Sequence, residues 1–213
     1  MSWYKKYKIS EKETLDFLSG IKELGPQDYS KENQNLYGDY QRRRNFIHEY
    51  GWSVPNEEAI NSIKDFVEND SILEIGSGLG TWAKLLQSEG ISVTPTDLSL
   101  DPKENPYIIE KKPYTNVDQI NADKAIKKYG NHKVLMMVWP PYDSPMAYNA
   151  LKLFAGDKLI FVGEGHGGCT ADGNFFNLLE SDWNHVENVF IPRWSGIHDS
   201  LSLYKRKMNL LEV

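Results

Sequence analysis

The sequence predicts an α/β fold: a mostly parallel sheet with helices on both faces, preceded by an N-terminal helical cap. Three observations carry that expectation. From about residue 70 short apolar runs alternate with helical stretches, the rhythm of a parallel sheet wrapped by helices. The glycine-rich string "EIGSGLG" falls between the first of those runs and a helical stretch. The last two apolar runs are joined by a turn at "SGIHD", which predicts a terminal antiparallel pair.

The elements follow in order. "SEKETLDFL" sets Ser10 and Glu13 at capping-box spacing ahead of Leu15 and Leu18, a helix start. "GPQDYSKENQNLYG" is polar and turn-rich and reads as a loop. "YGDYQRRRNFIHEY" places Tyr40, Phe46, Ile47 and Tyr50 near one helical face. In "SVPNEEAINSIKDFV", Pro55 lies near a first turn and Asn56, Glu57 and Glu58 stand at the positive end of a helix dipole, with Ile60, Ile63, Phe66 and Val67 as the apolar stripe. Residues 1–69 are thus a helical cap, expected to belong to the same domain as a core spanning 70–213. In the core, strands are expected at "SILEIG", "SVTPTD", "KVLMMVW" and "KLIFVGE", with helices at about 80 to 89, 145 to 155 and 171 to 183. A short strand near "NVDQI" and a helix at "ADKAIKKYG" fill the segment from 101 to 132, and "HVENVFIPRW" and "SLSLYKR" form the closing pair.

Composition narrows the function. Thirty acidic against 24 basic residues give a net charge of -6, which opposes generic attraction to phosphate backbones and disfavours nucleic acid as the partner. The basic clusters at Arg42, Arg43 and Arg44 and at Lys124, Lys127 and Lys128 read as solvated helix faces. No apolar run approaches the roughly 20 residues that span a bilayer, and the lysine-bearing start has no apolar stretch after it. A soluble, unexported, cytoplasmic protein is the expectation, with no membrane partner. The single Cys169 cannot form an intrachain disulfide.

Glycines at 76, 78 and 80 let a strand-to-helix turn tighten and approach a ligand, and the helix behind offers unpaired amides, so a nucleotide-like ligand fits. The next strand ends in Asp97, 23 residues after Glu74, where a carboxylate can accept two ribose hydroxyls. A dinucleotide fits less well, because Thr81 stands where its fingerprint needs Gly or Ala and Glu74 sets a negative charge near a pyrophosphate. The E-x-G-x-G-x-G spacing suits a ligand with a cationic amino acid end.

These residues resemble the class I S-adenosylmethionine-dependent methyltransferases, whose first motif "EIGSGLG" matches in full and whose ribose-binding acid stands at Asp97. The resemblance implies a Rossmann-like fold with a seven-stranded sheet and an antiparallel C-terminal strand. It implies S-adenosyl-L-methionine as cofactor, held by Glu74, Gly76, Ser77, Gly78, Gly80 and Asp97, with Asn121 and Ala122 near the adenine. The strings from "YGWSVPNEEAI" through "VWPPYDSPMA" and "VGEGHGGCTAD" to "RWSGIHD" also look like an uncharacterised group of methyltransferase-like proteins with a Trp-Pro-Pro-Tyr motif.

In amino-group methyltransferases the end of the fourth strand often carries Asn, Asp or Ser, then Pro-Pro, then Tyr or Phe, and grips the target nitrogen. Here the string is Trp139, Pro140, Pro141, Tyr142. Indole has one donor and no acceptor, so half of the amine grip is missing. What remains for a substrate is the Pro140 carbonyl and the faces of Trp139 and Tyr142; the plainer reading is a proline stop after a buried strand. In "VGEGHGGCTADGNFF", Glu164 and His166 are candidate substrate ligands or general bases, while Cys169 as nucleophile has no orienting third group. Arg193, Trp194, His198 and Asp199 cluster at the last turn, chiefly as structure, and Tyr37, Arg43 and Arg44 can close over the cofactor from the cap. The expected activity is methyl transfer by in-line displacement to a small-molecule or protein acceptor, with no metal required. The rival expectations are a non-catalytic cofactor-binding scaffold and a nucleic-acid base N-methyltransferase.

Overall fold

The structure, a computed structural model, describes residues 19–21, 25, 36–105 and 111–208, and for 36–39 the backbone only. The helix expected at "SEKETLDFL" and the side chain of Tyr37 lie outside the described residues.

Residues 19–21 are helical, and α1 (Leu36–Tyr50) and α2 (Glu57–Val67) also precede the sheet. The first begins at Leu36, so the last residues of the stretch read as a loop are already helical. The second is capped by Asn56, whose side chain accepts from the Ala59 amide at 2.9 Å, with Glu57 and Glu58 in the first turn as the dipole favours. Then come β1 (Ile72–Ile75), α3 (Thr81–Ser88), β2 (Val93–Asp97), β3 (Asp118–Gln119), α4 (Ala122–Lys128), β4 (Val134–Val138), α5 (Met146–Leu153), β5 (Lys158–Gly163), α6 (Gly173–Asp182), β6 (Trp183–Phe190) and β7 (Ser200–Arg206).

The seven strands form one sheet in the order β3-β2-β1-β4-β5-β7-β6. Pairing is parallel from β3 through β5, and β7 alone runs against both of its neighbours. Parallel strands covered on both sides read as unbroken apolar runs, which is why β1 and β5 are buried along their whole lengths.

Alternate residues sort onto two faces. Ile72, Val134, Met136, Ile160 and Val162 pack with Phe46 and Tyr50 of α1, Ile60 and Ile63 of α2, and Trp82 and Leu86 of α3. Leu73, Ile75, Leu135, Met137, Leu159 and Phe161 pack with Ala125 of α4, Leu151 of α5 and Phe175 of α6. The N-terminal helices therefore share the core of the sheet face they cover. No described helix is long and apolar enough to cross a membrane.

The chain order reverses between β1 and β4, which are adjacent although β2 and β3 intervene in sequence. In open α/β sheets the crevice at such a switch point, beyond the carboxyl ends of the strands, is where ligands bind. Glu74, Asp97 and Trp139 are all at or just past those ends.

Candidate functional site

Beyond β1 the chain turns through Gly76, Gly78 and Gly80 with φ of 67°, 57° and 78°, a left-handed path that favours glycine. Gly80 is also sterically required: a Cβ there would lie 2.8 Å from Cγ2 of Thr115. The turn is pinned by the Ser77 amide donating to the Thr96 carbonyl at 3.0 Å and the Gly80 amide donating to the Ser77 carbonyl at 2.9 Å. It delivers the N-terminus of α3 to the mouth of a cavity of about 680 Å³.

The glycine end of this cavity is polar in a particular way. Glu74 is buried, and loss of water, then the charge of Asp97, pushes its carboxyl up to about 8. Its Oε2 has no hydrogen-bond partner, and neither have the buried hydroxyls of Ser77 and Thr81. All three residues line the cavity. Asp97, also buried, accepts from the Gly78 amide at 2.8 Å on one oxygen and from Asn105 Nδ2 at 2.7 Å on the other. Burial raises its carboxyl, and these donors only partly offset that. Leu98, Ile120 and Ala122 give an apolar margin beside Asp97. Asn121 does not line the cavity: its side chain caps α4, accepting from the Lys124 amide at 3.0 Å.

Solved structures share this arrangement of strands and helices. One is 1,6-didemethyltoxoflavin-N1-methyltransferase from Burkholderia thailandensis with bound 1,6-didemethyltoxoflavin and S-adenosylhomocysteine, at a TM-score of 0.51 and 14% identity over 86% of this chain and 94% of that one. Another is N-methyltransferase NodS from Bradyrhizobium japonicum WM9 in complex with S-adenosylhomocysteine, at 0.51 and 13% identity over 82% of this chain and all (100%) of that one. The fold is the Rossmann-like methyltransferase fold. No protein-family model matches the chain, and no curated protein matches it in sequence.

On this methyltransferase fold the far end of the cavity is aromatic. Trp139, Pro140, Pro141 and Tyr142 all line it, as do Tyr50 at the end of α1 and Trp52 just after it. Trp139 adopts φ 49°, a left-handed conformation unusual for any bulky residue and more so before a proline. Several contacts hold it there. Its amide donates to the Val162 carbonyl at 2.8 Å, its indole Nε1 donates to Asp199 Oδ2 at 2.9 Å, and its ring stacks on Trp52 with centroids 5.2 Å apart and planes 19° from parallel. The Pro140 carbonyl accepts from the Ala171 amide at 3.1 Å, and the Asp143 amide donates to the Ala171 carbonyl at 2.9 Å. The proline loop is thus tied to the loop after β5, and one of the two lone pairs on the Pro140 carbonyl is already used.

Besides Asn121, Gly80, Glu164 and His166 are predicted site residues that do not line the cavity. Glu164 is buried behind the loop it organises, accepting from the amides of Cys169 and His198, each at 2.8 Å. Burial pushes its carboxyl up, but these bonds outweigh burial and hold it below the usual range, so it is a loop anchor rather than a base. His166 is exposed, stacks on Phe176 at 5.4 Å, and faces a smaller cavity that Phe176 also lines. Cys169 does line the main cavity, but its thiol is pushed up by loss of water and by the neighbouring Glu164, which works against a thiolate nucleophile.

Asp199, read from sequence as part of a turn, holds Trp139; burial pushes its carboxyl up to about 6. Trp194 is a packing anchor as expected, edge-on to Phe46 at 5.6 Å. From the cap, Arg43 reaches the paired indoles while Arg44 is exposed. Sequence reasoning missed Trp52, Ser53, Thr81 and Asn105. Only Trp52 and Ser53 carried a signal, as polar and aromatic residues in a turn between two helices; the Ser53 hydroxyl accepts from Trp82 Nε1 at 3.0 Å.

Proposed function

We propose that the protein is an S-adenosylmethionine-dependent methyltransferase acting on a small-molecule or protein acceptor. The observation that carries this reading is the set of unpartnered buried atoms around the glycine turn: one carboxyl oxygen on Glu74 and two hydroxyls on Ser77 and Thr81, next to Asp97. An acid beside two hydroxyls complements an ammonium and a carboxylate, the two ends of an amino acid. A carboxylate at the end of β2 complements vicinal sugar hydroxyls. S-adenosylmethionine carries both groups.

Bound there, the cofactor supplies a methyl carbon on a sulfonium, an electrophile that already has its leaving group. The chain does the rest by position. Glu74 takes the ammonium, and ionises as it does so. Ser77 and Thr81 donate to the carboxylate, Asp97 accepts from the ribose, and Ile120 and Ala122 flank the base. Trp52, Trp139, Pro140, Pro141 and Tyr142 wall off the space for the acceptor, so that alignment and exclusion of water lower the barrier. Glu164 and His166 have no part in the transfer.

Isothermal titration with S-adenosylhomocysteine tests the cofactor reading, and transfer of labelled methyl from S-adenosylmethionine into cell extract tests the activity. Binding together with labelling that Asp97→Ala removes supports it. Absence of binding by the wild-type protein ends it. A second reading, a cofactor-binding scaffold without transfer, draws on the loss of a polar side chain at Trp139; it predicts binding without labelling. Base methylation of nucleic acid is opposed by the net charge of -6.

A further inference from the structure

Trp139 adopts a conformation that its own backbone disfavours, so the groups that hold its ring decide the shape of the aromatic wall. Its indole Nε1 donates to Asp199 Oδ2 at 2.9 Å. Asp199 is buried, yet its other oxygen, Oδ1, has no hydrogen-bond partner. A buried carboxylate with so little support stays charged only beside a cation. Four segments meet around it. Trp139 comes from just past β4, Glu164 from the loop after β5, Arg193 from the stretch after β6 and Arg43 from α1. Glu164 opposes the charge on Asp199, while the two arginines favour it. The ring of His198, its neighbour in the chain, stands beside Glu164 with Nδ1 3.4 Å from Oε1.

The two arginines differ. Arg193 is engaged, its Nε donating to the backbone carbonyl of Asp199 at 2.6 Å. Arg43 sets its Cζ 5.7 Å from the ring centroids of both Trp52 and Trp139, and its Nε is buried with no acceptor. Among the described residues no ion pair joins Arg43 to a carboxylate. One indole is therefore flanked by two orphans of opposite charge, a donor on Arg43 and an acceptor on Asp199. Apart, each carries the penalty of a buried polar group without a partner; joined in a charge-assisted hydrogen bond, both are relieved. The planar fork on the long arginine side chain suits that bond.

We infer that Arg43 is a positioning residue: it pairs with Asp199, and the pair fixes the Trp139 ring, its face against Trp52 and its edge against the carboxylate. The proposed function is needed only to make this wall the acceptor's place; the pairing does not rest on it.

The test follows the Trp139 indole N–H of the full chain by nitrogen-15 NMR against pH, with Trp139→Phe to assign the resonance. Asp199→Asn should abolish the titration of that resonance and so identify Asp199 as its source. With Arg43 unjoined, burial pushes the Asp199 carboxyl up to about 6. Pairing should hold the wild-type midpoint below that value, and Arg43→Gln should raise it by about one pH unit or more. Arg43→Lys, which keeps the charge, should fall between. On the proposed function, Arg43→Gln should also slow labelled methyl transfer into cell extract by about tenfold or more, because alignment is lost, with affinity for S-adenosylhomocysteine held within about twofold.

A wild-type midpoint at or above about 6 overturns the pairing even if Arg43→Gln does not fold. It is also overturned if Arg43→Gln leaves the midpoint within about 0.3 pH unit of wild type, or if Arg43→Lys moves it as far as Arg43→Gln. Wild-type labelling by Arg43→Gln overturns the positioning role. Failure of the wild-type chain to bind S-adenosylhomocysteine removes the cofactor reading instead, and the pairing then stands or falls on the indole titration.

Discussion

Glu74→Gln should change how the stability of the cofactor-free protein depends on pH. Burial, then the charge of Asp97, pushes the Glu74 carboxyl from 4.5 up to about 8 in the folded state. Between those values the folded protein holds a proton that the unfolded chain has released. Stability therefore falls as pH rises through this interval, because the native state is the one binding more protons. The full slope for one group is about 1.4 kcal/mol per pH unit, so the step from about pH 5.5 to about pH 7.5 removes about 3 kcal/mol. Glutamine keeps the shape and cannot ionise. Relative to wild type, Glu74→Gln should gain about that amount across the same step, read as a change of about 5 to 10 °C in the difference between the two Tm values for a chain of this size. Thermal and urea melts at both pH values measure it, and other titrating groups cancel in the comparison. A wild-type-to-variant difference that does not move with pH would refute the argument, because Glu74 would then be ionised throughout. Saturating S-adenosylhomocysteine should flatten the wild-type dependence, since its ammonium favours the ionised carboxyl.

On the proposed function Asp97→Ala removes the ribose acceptor, and it strands the Gly78 amide and Asn105 Nδ2; affinity for S-adenosylhomocysteine should fall by about 2 kcal/mol or more, roughly 30-fold, by titration calorimetry. Gly80→Ala must adopt φ 78° and set its Cβ 2.8 Å from Thr115, so it should lower stability by about 1–3 kcal/mol in urea melts. Asp199→Ala leaves the Trp139 indole without its acceptor and should cost about 1–3 kcal/mol. The released ring should also shift tryptophan emission, whereas Asp199→Asn, which retains an acceptor oxygen, should show neither change.

The glycine-turn end of the cavity was legible in the sequence because its parts are local. Glu74 and the three glycines fall within seven residues, and Asp97 closes the next strand, so strand-helix rhythm and spacing suffice to bring them together. The sheet was legible for the same reason: β4 and β5 are nearly continuous apolar runs, and β7 follows β6 in sequence and pairs with it. The aromatic end depends on distant contacts. Trp139 meets Asp199 60 residues later and stacks on Trp52 of the cap, and no local pattern announces either pairing. Glu164 and His166 misled because four nearby glycines suggested an open rim. In the fold the Glu164 carboxylate turns inward to hold that loop, and His166 lies against Phe176. Asn121 was read by position along the chain, whereas helix capping sets its side chain.

The replacement of a polar residue by Trp139 has a chemical consequence. A bulky residue at φ 49° before a proline costs about 1–3 kcal/mol, so it persists only where surrounding contacts over-determine it, as the Val162, Asp199, Trp52 and Ala171 contacts do here. Those same contacts use up the groups that an amine would need. The Trp139 indole points its only donor at Asp199, and the Ala171 amide holds one lone pair of the Pro140 carbonyl. A protonated amine must lose its proton before it can attack a sulfonium, and the Trp139 side chain offers that nitrogen no acceptor while the Pro140 carbonyl has one lone pair left. An acceptor that arrives as an anion has no proton to shed. On the proposed function, the groups withdrawn at Trp139 and Pro140 therefore disfavour amines as acceptors.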